Sequence, residues 1–133
     1  MRANTQTVSI EAAPGAVVAF LADGRNLPKW AVGFAKTVVP REDGWLVTTG
    51  AGEMMVRIES DPRRGTVDFL MTPAPGVEGL AAARVVPRGD ASEVVFTQFQ
   101  LPDMPDEMFA MNVRAVAHEL AVLKALLEVE CPL

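Results

Sequence analysis

Six apolar residues near the C-terminus, Phe109, Val113, Val116, Leu120, Leu123 and Leu127, recur at steps of 4, 3, 4, 3 and 4. That is the spacing of one face of an α-helix, so a long amphipathic helix is predicted over 105–130. Pro105 at its start, Asp106 and Glu107 in its first turn and Pro132 beyond its end suit the missing N–H groups and the dipole of such a helix. At the other end of the chain, Thr7-Val8-Ser9-Ile10-Glu11 alternates with period 2 and reads as a strand with Val8 and Ile10 facing inward. Pro14 then opens a helix with Val17, Phe20 and Leu21 on one face, stopped by Gly24, and Asn26 is placed to cap a second short helix carrying Trp30.

After Gly33 the pattern is β for about 70 residues, as the spacing of turn residues shows. Strands are predicted near 35–40, 45–49, 53–60, 66–72, 79–87 and 93–101. They are separated by Arg41-Glu42-Asp43-Gly44, Gly50-Ala51-Gly52, Asp61-Pro62-Arg63-Arg64-Gly65, Pro73-Ala74-Pro75-Gly76 and Pro87-Arg88-Gly89-Asp90. Alternation turns Met54, Val56 and Ile58 inward against Arg57 and Glu59, and Val67, Phe69 and Met71 inward against Asp68 and Thr72. In 93–101 the odd set Val95, Thr97, Phe99 and Leu101 is the more apolar and is expected inward. No repeat, low-complexity tract or linker divides the chain, so one domain over 1–133 is expected. The economical architecture is α+β: a curved antiparallel sheet of about seven strands wrapped around the C-terminal helix, with two short helices after the first strand.

Composition narrows the function. The 133 residues carry a net charge of −5, nearly all of it in the second half, and no run of Lys or Arg. A nucleic-acid binder needs basic charge to displace counterions from phosphates, so that class is excluded. No apolar run reaches the roughly 18 residues of a membrane span, and the start Met1-Arg2-Ala3-Asn4-Thr5-Gln6 lacks the apolar stretch of a signal peptide. With a single cysteine, Cys131, no internal disulfide forms, and a cytoplasmic location is expected. One His and one remote Cys do not make a transition-metal site, and neither metal nor cofactor is expected.

Few residues remain that carry chemistry. His118 falls about 180° from the helical seam and is expected in solvent, which removes the base a Ser or Cys nucleophile would need. Gly50-Ala51-Gly52 precedes a strand, so it is a hairpin turn and not a phosphate cradle. The oddity is seven methionines, of which Met54, Met71, Met104 and Met108 are expected between sheet and helix, where thioethers line adaptable pockets or fill irregular cores. Met108, Asn112, Ala115 and Glu119 lie on an arc roughly 60–120° to one side of the seam. Asn112 and Glu119 therefore border the apolar face, either as polar groups at a cavity edge or as the solvated rim of the helix. Arg84, in the apolar run Ala81–Val86, either anchors a ligand carboxylate or lies on the outer face. Trp30 and Phe34 either close the mouth of a cavity or plug its end.

The order strand, two short helices, six strands and long helix resembles the START-like helix-grip superfamily, the SRPBCC or polyketide cyclase/dehydrase and lipid-transport group. The resemblance is carried by Val8-Ser9-Ile10-Glu11-Ala12-Ala13-Pro14-Gly15-Ala16-Val17-Val18-Ala19-Phe20-Leu21-Ala22-Asp23, Asn26-Leu27-Pro28-Lys29-Trp30, Val85-Val86-Pro87-Arg88-Gly89 and Glu119-Leu120-Ala121-Val122-Leu123-Lys124. It spans essentially the whole chain. It implies a deep cavity between sheet and helix for an apolar or amphipathic ligand, with Trp30, Met54, Phe69, Met71, Phe99, Met108 and Asn112 among its lining residues. Val56, next to Met54 on the same face, and Phe34, Arg84, Ala115 and Glu119 complete the candidate set. The superfamily has no common catalytic motif to transfer. The leading expectation is a binding or carrier module for a small apolar or amphipathic ligand. The alternatives are a cyclase- or dehydratase-like enzyme using the same cavity, with Asn112, Glu119 or Arg84 moving protons, and a non-catalytic subunit that forms a homodimer through a sheet edge or helix face.

Overall fold

The computed structural model describes residues 2–133. Its elements are β1 (Ala3–Ile10), α1 (Pro14–Ala22), a 3-10 turn (Gly24–Asn26), α2 (Leu27–Trp30), β2 (Thr37–Arg41), β3 (Gly44–Thr49), β4 (Gly52–Asp61), β5 (Thr66–Ala74), β6 (Val77–Arg88), β7 (Ala91–Phe99) and α3 (Asp106–Glu130). The seven strands form one antiparallel sheet in the order β1-β7-β6-β5-β4-β3-β2, so the first strand closes onto the last and every other strand pairs with its sequence neighbour. This is the helix-grip fold, with α3 held in the curve of the sheet.

The register puts inward residues into rows across the concave face. Asn4, Gln98, Ala81, Phe69 and Ile58 form one row, and Gln6, Phe96, Ala83 and Val67 the next. The small residues of β6 lie mid-sheet, where α1 approaches and a larger side chain would hold the layers apart. Val17, Val18 and Leu21 of α1 and Leu120, Leu123 and Leu127 of α3 are buried against this floor. Each of those leucines contributes about 1.5–3 kcal/mol by leaving water. At the C-terminal end of α3, Lys124 Nζ donates to the Ser9 carbonyl at 2.7 Å and pairs with Glu128, whose carboxylate accepts from the Glu11 N–H at 2.8 Å. Polar clasps therefore fix one end of the helix to β1.

Two sequence expectations need correction. In β7 the even set Val94, Phe96 and Gln98 faces inward, and Val95, Thr97 and Phe99 face out. The reason is the two-residue turn at Gly89, whose positive φ of 62° closes the β6–β7 hairpin and pairs Gln98 with Ala81 and Phe96 with Ala83. Turn geometry outweighs a small difference in apolar count. Asn26 does not cap α2 with its side chain; its amide nitrogen donates to the Phe20 carbonyl at 3.0 Å, and Asp23 caps the preceding 3-10 turn through the Arg25 N–H.

Candidate functional site

Because Ala3 pairs with Phe99, Ala74 with Val77, Thr49 with Gly52 and Thr37 with Thr48, five segments meet at one end of the grip. They are the start of β1, the β5–β6 and β3–β4 turns, the loop 31–36 and the 100–105 link into α3. These segments ring the space between the concave face and the first half of α3. Phe34, Met54, Met71, Leu101 and Met104 are half-buried there. A Cβ on Gly79 would lie 3.4 Å from Leu101 Cδ2 and 3.7 Å from Met71 Cε, so the tips of those two side chains converge over a glycine. Asn112 Nδ2 approaches Met104 Sδ at 3.7 Å, which ties the link to the helix. The result is a mouth of flexible, apolar, sulfur-rich side chains.

Behind the mouth stands a cluster of three rings. Trp30 lies 6.1 Å from Phe69 and 6.2 Å from Phe96, and the two phenyl rings are 6.3 Å apart, in tilted or edge-on geometry. The rings fill the middle of the grip. Three buried polar atoms around this cluster have no hydrogen-bond partner: Trp30 Nε1, Gln98 Nε2 and Asn4 Oδ1. Nearby, Gln6 Nε2 donates to the Val113 carbonyl of α3 at 2.9 Å. Buried polar groups are ordinarily paired, and two of these unpartnered atoms belong to cross-strand neighbours, Asn4 and Gln98.

On α3, Glu119 is buried and accepts from the Gly33 N–H at 2.9 Å. Burial pushes its carboxyl up to about 7, against the opposing effect of the Gly33 and Phe34 backbone donors. Ala115, half-buried one turn earlier, lies under the same glycine. Loop 31–36 thus covers this stretch of the arc.

The remaining candidates are scattered. Val56 and Phe69 belong to the core, and Met54, Met71 and Phe34 to the mouth. Met108, which is 50% exposed, and Asn112 extend the Glu119 arc beyond the cover of the loop and stand at the rim in solvent, not between the layers. Arg84 and Phe99 are on the outer face: Arg84 Nη1 donates to Asp68 Oδ1 at 2.8 Å, and Phe99 follows the phase of Thr97, which bonds Thr5 on that side. Neither can reach a ligand under α3. His118 is exposed, as expected. Asn4, Gln6 and Gln98 were not anticipated, although the phase of Val8 and Ile10 extends back through Gln6 to Asn4. Two surface depressions, of about 190 and 550 Å³, lie elsewhere, at Met55, Leu70 and Thr72 and at the β2–β3 turn. Among the described residues no group of His, Cys, Asp and Glu could hold a metal ion, and no helix is long and apolar enough to cross a membrane.

Among curated protein sequences no match is found. Solved structures match across nearly the full chain. The protein XoxI from Bacillus cereus is 18% identical, with a TM-score of 0.76 over 98% of this chain and 99% of that one. The Zhui aromatase/cyclase from Streptomyces sp. R1128 is 19% identical, with a TM-score of 0.72 over 97% and 96% of the two chains. The Aha1 dimer from Colwellia psychrerythraea is also 19% identical, with a TM-score of 0.73 over 97% and 98%. At such identities the likeness shows the shared fold. The family model for polyketide cyclase/dehydrase and lipid transport matches residues 1–128. The chain therefore belongs to the polyketide cyclase/dehydrase and lipid transport family of the START-like helix-grip superfamily.

Proposed function

We propose that this protein binds and carries a small apolar or amphipathic ligand, taken up through the methionine-rich mouth between the sheet and the first half of α3. The observation that carries this reading is the conjunction of half-buried apolar groups at the mouth with buried, unpartnered polar atoms behind it. Apolar area leaving water drives binding at about 25 cal/mol per Å², and methionine and leucine tips can move aside at little cost. Phe34, Met54, Met71 and Met104 would contact the apolar body of the ligand, with Met108 and Asn112 at the rim. A cytoplasmic role, and dimerisation of the kind named for the Aha1 relative, are compatible with this reading.

The runner-up is cyclase- or dehydratase-like chemistry, for which Glu119, titrating near neutrality, would be the acid or base. Carriage is favoured because that carboxylate is already committed to the Gly33 amide. Native mass spectrometry of freshly purified protein tests the proposal. A retained small molecule, or micromolar binding of an apolar fluorescent probe that competes with it, is expected. Failure of the protein to bind any apolar probe would remove the carrier reading and move the interaction-subunit reading ahead.

A further inference from the structure

Three of the seven methionines, Met104, Met108 and Met111, fall within eight residues, at the steps of 4 and 3 that keep residues on one side of a helix. The core does not account for them. Met108 is 50% exposed and Met111 61% exposed, while Met104 is half-buried in the link into α3.

Their placement brings the sulfurs to one patch. Met108 and Met111 are i, i+3 neighbours in the first turns of α3, with Cβ atoms about 5–6 Å apart, and methionines on a helix lean back toward its N-terminus, here toward the link that carries Met104. Met104 comes from the other side. Its Sδ lies 3.7 Å from Nδ2 of Asn112, the i+4 neighbour of Met108 on the same side of the helix. A thioether sulfur stands two bonds beyond Cβ on an unbranched, freely turning chain, so rotamer changes alone can close three of them on a single ion. Met104 gives one sulfur lone pair to the Asn112 amide and keeps the other free.

The surrounding charge selects the sign of the occupant. Residues 103–111 include Asp103, Asp106 and Glu107 and no Lys or Arg. Arg2 pairs with Asp106 at 3.5 Å, and Asp103 and Glu107 stand exposed on either side of it. Arg114, the first basic residue of α3, comes after Met111. A cation is therefore offset here. The expectation of no metal counts His, Cys and carboxylate ligands, whereas neutral thioethers form a different class: they hold hard cations poorly and select soft ones such as Cu(I).

We propose that Met104, Met108 and Met111 form a three-thioether site for Cu(I) on the solvent side of the rim. The site needs no cavity and does not depend on the carrier reading.

Ag(I), a soft monovalent ion that does not change oxidation state in buffer, is the first probe, followed by Cu(I) under argon in competition with bicinchoninate. The protein is labelled with [methyl-¹³C]methionine and carries Cys131→Ser, which removes the one thiol; wild type blocked with N-ethylmaleimide replaces it if that variant folds poorly. The methyl resonances of Met104, Met108 and Met111 should move together and saturate at one ion per chain, with those of Met54, Met55 and Met71 unmoved. Affinity should be the same at about pH 6 and pH 7.5, because a thioether has no proton to lose, whereas a site using His118 would weaken at the lower pH. Met108→Leu and Met111→Leu, at exposed positions, should each weaken both ions by at least about tenfold, the loss that removing even an outer-shell partner brings. The proposal is overturned if equimolar Ag(I) moves none of the three methyls, if they respond separately or beyond one ion per chain, if binding follows His118 with pH, or if the leucine variants bind as wild type does. None of those results bears on uptake of an apolar probe, so the carrier reading stands or falls by its own test.

Discussion

Glu119 of α3 accepts a hydrogen bond from the backbone N–H of Gly33 at 2.9 Å, and a Cβ on Gly33 would sit 3.2 Å from Ala115 Cβ and 3.3 Å from Glu119 Oε2. The loop 31–36 is therefore pressed directly onto the helix, with a buried carboxyl as its fastening. Near neutral pH that carboxyl exchanges its proton, because desolvation raises it from 4.5 to about 7.

A stability gradient follows from this. Between pH 4.5 and about 7 the folded chain holds a proton on Glu119 that the unfolded chain has released, so stability should fall as pH rises through this window and level off above it. The full effect is about 3 kcal/mol, as an upper figure. Urea melts from pH 4.5 to 8.5 should show the slope, and Glu119→Gln should remove it and leave the variant more stable than wild type at pH 8. A slope that persists in Glu119→Gln would assign it to another group. On the acid side, Glu128 beside Lys124 and Asp106 beside Gln100 and Arg2 have lowered values, and their contribution should disappear as pH falls through those folded values.

The helix should be the centre of stability. Leu120→Ala or Leu123→Ala should each cost about 2–5 kcal/mol through lost burial and a residual cavity, since Leu120 is 3% exposed and Leu123 fully buried. His118→Ala, on the exposed side of the same turns, should stay within about 0.5 kcal/mol of wild type. Equal losses in the three variants would mean the helix is rotated from the orientation described.

Gly24 should tolerate no side chain. Its missing Cβ would overlap the indole of Trp45, which lies flat against the 3-10 turn. Gly24→Ala should cost about 1–3 kcal/mol and shift the Trp45 emission. An unperturbed melt and spectrum would show that the ring can move aside without loss.

Closing the mouth should separate binding from folding. Gly79→Val adds methyl groups where Leu101 and Met71 already converge, and it should weaken an apolar probe at least tenfold while changing stability by no more than about 1 kcal/mol. Arg84→Ala and Phe99→Ala, on the other side of the sheet, should leave probe affinity unchanged. Loss of binding in the outer-face variants, with none in Gly79→Val, would place the ligand elsewhere.

The sequence by itself determined those parts whose burial is written in a period. The seam from Phe109 to Leu127 and the alternation in β4 and β5 report their faces directly, because the inward positions are apolar and polar residues such as Arg57, Glu59, Asp68 and Thr72 mark the opposite face, even though Met55 and Leu70 on that face are apolar. The helix-grip order follows from these elements and the turns between them. Residues whose inward neighbours are polar were not legible in this way. Gln98, Gln6 and Asn4 face the core because backbone pairing with Ala81, Phe96 and Gln98 puts them there, and their side chains carry no sign of it. Asn112 and Glu119 share one arc of α3 and a similar polarity, yet one is exposed and the other buried. Only the fold of loop 31–36 decides between them, since it covers the helix at Ala115 and Glu119 and stops short of Asn112. Periodicity records which face an element buries, whereas the depth of a particular polar group depends on chain segments that come from elsewhere in the sequence.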